Sequence, residues 1–368
     1  MITIKNAKTL AGEQRDFTLP SSKDYSIDAK GQLLFLPGLI DSHISLGPTT
    51  REDWKIGIES AIRGGVTTLI DIPRLDQSCY SKVGIEEHKQ IVHKHLSDWD
   101  IPLHYNLYAT AHPDHLEELG LAKKLIRGLA ILIDPVHREQ WDDEKFWERA
   151  FQLAAWEDLP VIVNTQDEDS WQKLRKKEES LLEKAIFYTE QNNTRLYVLN
   201  VATREEIELI QQARERSLLI YAETTPRHLF LNKSSQTEHV WEALNRGTIE
   251  MIGSGFFAGM NHSDRILLEE GNFSYSDPIF LLPLLLTASF EKKISIEKIL
   301  GLTRFNINQL FNLDNQDAVL VDVEHERAVQ QITNGQTIDI KLRGWPVYTF
   351  VKGKVFKIPP KGYHLIPE

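Results

Sequence analysis

Residues 195–223 read RLYVLNVATREEIELIQQARERSLLIYAE. The aliphatic run Leu196–Val201 gives way to the charged stretch Thr203–Glu215, whose apolar residues recur at helical spacing, and a second aliphatic run, Leu218–Glu223, follows at once. Strand, helix and strand in such close succession make a βαβ unit, because the helix returns the chain to the end of the sheet from which a parallel strand must start. The same alternation extends outward on both sides. Upstream lie the strand-like runs Leu39–His43, Val66–Ile72, Leu103–Tyr108, Gly128–Ile133 and Pro160–Asn164, and downstream Ile249–Ser254. Between them run amphipathic stretches at Asp53–Arg63, Gly84–His95, Asp114–Lys124, Asp142–Glu157, Glu178–Gln191 and Glu238–Asn245.

Eight βα units over about 250 residues match an α/β fold of the (β/α)8 TIM barrel type. An open doubly wound sheet is the alternative, since periodicity does not register closure. The two ends differ from this middle. Ile2–Ile4, Leu33–Phe35, Ala318–Val323, Thr337–Leu342 and Tyr348–Val355 are strand-like, with turn signals such as Asn334-Gly335 and Gly353 between them. The expected organisation is a small β domain built from both chain termini, residues 1–36 and 315–368, beside a barrel of residues 37–314.

Composition narrows the function classes. With 41% hydrophobic and 26% charged residues in a chain of 368, disorder does not dominate. The net charge of −11 comes with no long basic run, which argues against nucleic acid as a partner. The strongest apolar stretch, Ile279–Phe290, is interrupted by Pro283 and too short to span a bilayer, and Met1–Glu13 lacks a signal-peptide core, so no membrane partner and a cytoplasmic location are expected. The single cysteine, Cys79, forms no internal disulfide and fits a reducing compartment.

In a barrel of this kind the chemistry sits at the C-terminal ends of the strands. Strand one ends Pro37-Gly-Leu-Ile-Asp-Ser-His-Ile-Ser45, strand two ends Leu69-Ile-Asp-Ile-Pro-Arg74, and strand eight ends Gly253-Ser-Gly-Phe-Phe257. The segment Pro37–Leu46, with Gly64-Gly65-Val66-Thr67-Thr68, resembles the opening of the amidohydrolase superfamily, and in particular its dihydroorotase branch. Arg195–Thr203, Ala222–Leu231, Gly247-Thr-Ile-Glu250, Leu282–Thr287 and Pro346–Gly353 match further stretches of that family in order. The resemblance implies a barrel enzyme of pyrimidine biosynthesis that opens or closes the dihydroorotate ring with one or two zinc ions. It also implies a ligand set: a His-x-His pair on strand one, a carboxylated lysine after strand four, a histidine after each of strands five and six, and an aspartate after strand eight.

Carried over position by position, that set is almost absent. His43 is kept, but the second histidine position holds Ser45, the lysine position falls at Ala130, the later histidine positions hold Asn164 and Asn200, and the aspartate position holds Gly255. The family's substrate-binding arginine and asparagine correspond to Gly47 and Arg74. Alanine and glycine have no donor, and amide and hydroxyl oxygens are weak zinc ligands, so no metal or other cofactor and no catalytic residue is expected. Without a metal, bound water keeps a pKa near its bulk value and is a poor nucleophile.

The expectation is therefore a dihydroorotase-like pseudoenzyme with a structural or regulatory role, its partner aspartate transcarbamoylase or a second copy of itself. The alternative is an active hydrolase of cyclic amides using a divergent site, with His43, Asp134 or His228 as acid–base group. A third is a sensor that binds a pyrimidine intermediate without turning it over. Phe256 and Phe257 are candidates to plug the barrel mouth, and Arg74 to place a guanidinium at the vacated cation position. His112 with His115, and Asp134 with His137, could supply ligands or an acid–base pair, although Asp114 reads more simply as a helix cap. Asp41, Asp71, Glu223 and Arg227-His228 could form a polar network at the mouth. Ser254 in Gly253-Ser254-Gly255 is not a nucleophile elbow. The charge runs Lys173–Glu179 and Arg204–Glu215 are most simply solvated faces.

Overall fold

The computed structural model describes residues 1–47, 51–73, 79–131, 143–164, 175–231, 235–257, 274–333, 336–359 and 366–367. The N-terminal segment supplies four strands. β1 (Ile2–Lys8) pairs antiparallel with β2 (Gln14–Leu19) and parallel with β3 (Tyr25–Asp28) and β4 (Leu33–Pro37). Gly38 then turns the chain directly into β5 (Leu39–Ser45), and a Cβ there would collide with the Thr67 side chain.

Each of the eight expected runs is a strand. After β5 come β6 (Val66–Asp71), β7 (His104–Leu107), β8 (Ala109–Thr110), β9 (Leu129–Ile131), β10 (Val161–Asn164), β11 (Arg195–Leu199), β12 (Leu219–Thr224), β13 (Met251–Ile252) and β14 (Phe256–Phe257). β8 continues β7 past Tyr108, just beyond the third run as read from sequence, and β14 continues β13 past Gly253-Ser254-Gly255, just beyond the eighth. Their sheets run β14-β5-β6-β7 and β8-β9-β10-β11-β12-β13, so sequence neighbours are sheet neighbours and the eighth run lies against the first. Between strands lie α1 (Arg51–Arg63), α2 (Lys82–Asp98), α3 (Leu116–Gly120), α4 (Glu144–Trp156), α5 (Arg175–Asn192), α6 (Arg204–Glu215), α7 (Pro226–Phe230) and α8 (Ser235–Arg246), with α9 (Pro278–Phe290) after β14.

Local chemistry starts these helices. Thr203 and Glu206 form a capping box on α6, and the Asp143 carboxylate accepts the N–H groups of Lys145 and Phe146 at the head of α4. The cap expected of Asp114 does not form: α3 starts later, with His115 in the cap position and no side-chain cap bond. Gly64 has a tertiary reason, because a Cβ there would run into the backbone carbonyl of Pro278 at the start of α9, and Gly65 follows at φ +79°.

The C-terminal segment returns to the first sheet. β15 (Ala318–Asp322) lies between β4 and β18 (Trp345–Val351), followed by β19 (Lys354–Lys357) and β20 (Ile366–Pro367). Ile2, Ile4, Ala318, Leu320, Phe350 and Val355 form its buried core. β16 (Arg327–Thr333) and β17 (Gln336–Leu342), which contains Thr337–Leu342, pair only with each other as a separate hairpin. The reason is topological: β15 already has β4 on one edge and β18 on the other, so no edge is left for the intervening segment.

By contact the chain divides into two units, Met1–Leu69 with His95–Tyr105 and Ser254–Glu368, and Ile70–Lys94 with Asn106–Gly253. Among the described residues no helix is long and apolar enough to cross a membrane.

Candidate functional site

In the first unit, β5 alternates so that Asp41, His43 and Ser45 share a face. Asp41 is fully buried, and its Oδ1 accepts the backbone N–H groups of Ser254, at 2.9 Å, and His43, at 3.2 Å. That carboxylate thus ties the end of the first strand to the break in the eighth. Gly255 continues the tie through its N–H to the His43 carbonyl, 2.9 Å, and sits at φ +68°, a conformation that most side chains resist. The Ser254 hydroxyl is engaged in the same turn, accepting the Phe256 N–H at 3.1 Å, so it is held as a structural group.

Phe256 does not plug the barrel mouth. It pairs with Ile44, and a Cβ on Gly57 of α1 would come within 2.8 Å of its ring, so the ring packs outward against the helix. Alternation is the reason: with its neighbours on one face, Phe256 takes the other. Gly47 lies at φ +60° and offers only its carbonyl, which accepts the Trp54 indole N–H at 2.8 Å.

In the second unit, Ala130 of β9 stands in register with Ile162 of β10, and Asn164 occupies the same face two residues on. Asn200 follows β11 at φ +61°, a region asparagine tolerates better than most residues, and its Nδ2 donates to Asn164 Oδ1 at 3.1 Å. Ala130 is buried and carries no polar atom. Tyr197 donates its hydroxyl to Glu223 Oε2 at 2.5 Å, and both are fully buried. Asp71, also fully buried, has His88 of α2 at 3.6 Å. Asp41, Asp71 and Glu223 thus each have an identified partner, and Arg227 and His228 lie on α7.

His112 and His115 stack with Tyr80, ring centroids 5.1 and 4.8 Å away, while His115 Nδ1 lies 3.1 Å from Glu118. Burial and the nearby Asp71 push the Cys79 thiol far above its ordinary pKa, which leaves it inert as a thiolate nucleophile. Arg74, Asp134 and His137 lie outside the described residues. Sequence reading missed His88 and Tyr197. Tyr197 was visible as a member of the period-two face of β11, but nothing in the sequence pairs it with Glu223.

The fit to zinc can be judged from these donors. Among the described residues no three His, Cys, Asp or Glu side chains converge where they could hold a metal. The asparagine amides at the ends of β10 and β11 bond each other, and neutral amide oxygens are poor zinc ligands. The described residues do not fit a catalytic zinc.

No protein-family model matches the chain. A dihydroorotase of Methanosphaera stadtmanae is 24% identical over 343 residues, which cover 82% of this chain and 77% of that protein. The solved L-hydantoinase (dihydropyrimidinase) of Arthrobacter aurescens matches 98% of this chain and 97% of its own with a TM-score of 0.79 at 18% identity. The inactive dihydroorotase-like domain of a CAD-like multifunctional protein from Chaetomium thermophilum matches 90% of this chain and 98% of its own with a TM-score of 0.67 at 17% identity. The fold is the (β/α)8 barrel with a small β domain made from both termini. Along most of the chain the sequence is similar to dihydroorotases, and the fold is that of the solved hydantoinase and dihydroorotase-like structures.

Proposed function

We propose that this chain is a non-catalytic dihydroorotase-like protein whose role is structural or regulatory in pyrimidine biosynthesis, in the cytoplasm, with aspartate transcarbamoylase as its partner. The observation that carries the reading is the Asn164–Asn200 bond, 3.1 Å, at the two positions assigned to metal-binding histidines. In the sequence, Ala130 and Gly255 stand at the lysine and aspartate positions, Ser45 at the second histidine and Gly47 at the substrate arginine, leaving His43 alone of the ligand set. The structural neighbour from Chaetomium thermophilum, an inactive dihydroorotase-like domain of a CAD-like multifunctional protein, is a precedent for inactivity in the same fold.

The test is threefold and uses the whole chain. Protein purified without a histidine tag from zinc-supplemented medium is expected to carry less than about a tenth of an equivalent of metal. Dihydroorotate is expected to remain unconverted, with His43→Ala no different from the parent, and aspartate transcarbamoylase of the same organism is expected to co-elute. Turnover that His43→Ala abolishes would replace this reading with a divergent cyclic-amide hydrolase. Elution as a dimer without the transcarbamoylase would make self-association the structural role.

A further inference from the structure

In the first unit a cavity of about 520 Å³, within the size range of small-molecule sites, lies beside the first sheet. Its lining includes the apolar Leu19 and Pro20 and the polar His104, Asp317 and Lys352. It is separate from every strand-end position discussed above.

The polar part of the lining is built from three distant stretches of chain. Asp317 is nearly buried, and its Oδ1 accepts the Lys352 backbone N–H at 2.9 Å. Its Oδ2 stands 3.0 Å from His104 Nε2, an ion-pair distance though off the line of a hydrogen bond. The carboxylate favours a ring proton on Nε2, and Nδ1 has no partner among the described residues. Lys352 Nζ donates to the Leu103 carbonyl at 3.2 Å, leaving further N–H donors of the ammonium. Burial pulls the lysine's pKa below its ordinary value, with Asp317 opposing the shift.

The backbone of Lys352 supplies a second, independent observation. Val351 pairs with Lys354, so Lys352-Gly353 is a two-residue hairpin loop, with φ +46° and +78°. Two positive φ values are the mark of a type I′ turn, where Asn-Gly is favoured and a long side chain is strained. A lysine that lines the cavity is thus held in a conformation that suits asparagine better. Strain of this kind points to function when the surrounding structure maintains it, as Asp317 does here.

We infer that this cavity binds a small carboxylate with an apolar body, its anionic group on Lys352, an adjacent hydroxyl bonded to His104 Nδ1, and its apolar part against Leu19 and Pro20. The buried guanidinium of Arg304, bonded to the Asn315 side-chain and backbone oxygens and 3.7 Å from the Asp314 carboxylate, also interacts with the charge of Asp317. The site is independent of the proposed loss of catalysis.

Phenyllactate is the probe, with hydrocinnamate lacking the hydroxyl and phenylpropanediol lacking the carboxylate as its controls. Calorimetric titration of the whole chain is expected to rank them in that order, with phenyllactate raising Tm. Lys352→Asn, which places Asn-Gly in the turn and so retains the fold, is expected to weaken phenyllactate at least about tenfold. Leu19→Trp, which fills the apolar part, is expected to do the same without touching the charge. No heat and no Tm shift at roughly 10 mM phenyllactate would overturn the site. So would parental affinity in either folded variant, or equal binding of the diol.

Discussion

The ends of β10 to β12 and the cavity beside Lys352 are both polar, and they differ in where their hydrogen bonds go. At the strand ends Asn200 bonds Asn164 and Tyr197 bonds Glu223, so side chains in positions suited to chemistry serve one another. Around the cavity the Lys352 ammonium, which donates to one carbonyl, retains further N–H donors, and His104 Nδ1 has no partner among the described residues. Polar groups that satisfy each other stabilise a fold, whereas groups left partly satisfied beside a cavity have capacity for a ligand. The two regions should therefore respond in opposite ways to mutation.

The largest effect is expected from another mutually bonded pair, in the first unit. Asp277 caps α9 through the Ile279 N–H, accepts the Ser60 hydroxyl, and is buried. Burial raises its pKa from 3.8 to about 6, against the opposing influence of Ser60, the Ile279 N–H and Arg63. The folded chain thus holds this proton more tightly than the unfolded chain. The resulting stabilisation is complete below the unfolded value and is lost as pH rises through the folded one, a change of about 3 kcal/mol. Asp277→Asn keeps a capping side chain and removes the titration, so urea unfolding between about pH 4 and 6 should lose that slope. An unchanged slope would place the titration elsewhere.

Tyr197→Phe removes the hydroxyl from a buried carboxylate and is expected to cost about 1–3 kcal/mol in urea unfolding at neutral pH. A cost near zero would mean that Glu223 is adequately satisfied without it, and would weaken the contrast between the regions. Asn200→Ala should cost about 1–2 kcal/mol, because it loses both the amide bond and a residue suited to positive φ. Asn200→Gly keeps the backbone freedom and loses only the bond, so the difference between the variants separates the two contributions. The smallest effect has the opposite sign. Lys352→Asn should leave stability unchanged or raise it by about 0.5 kcal/mol as turn strain is relieved, while carboxylate binding is lost. A large stability loss there would make Lys352 a structural residue like those at the strand ends.

Much of the fold was legible because buried parallel strands read as continuous aliphatic runs and the intervening helices as amphipathic stretches. The apolar runs did not reveal the breaks at Tyr108 and at Gly253–Gly255, since a local interruption of pairing leaves hydrophobicity intact. That β16 and β17 pair apart from the larger sheet could not be read from strand propensity, which says nothing about which edges are already occupied. At the candidate site, Asp41 and His43 could be placed on one face by their spacing, and the amide, hydroxyl and methyl side chains at strand ends could be read directly as weak or absent metal donors. Phe256 was misread because one residue of alternation turns a ring from the mouth to the helix layer.

The sequence by itself determined the order of strands and helices, the return of the chain's end to its beginning, and the chemical poverty of the strand ends, because periodicity and side-chain type are local properties. Only the tertiary structure decided that Asn200 meets Asn164, that Tyr197 meets Glu223, that Gly64 must lack a side chain beside Pro278, and that His104, Asp317 and Lys352 share one cavity. These meetings join residues far apart in the chain. They depend on strand register and on the left-handed backbone at Asn200 and Lys352, which set where a side chain arrives and are not encoded by its type alone.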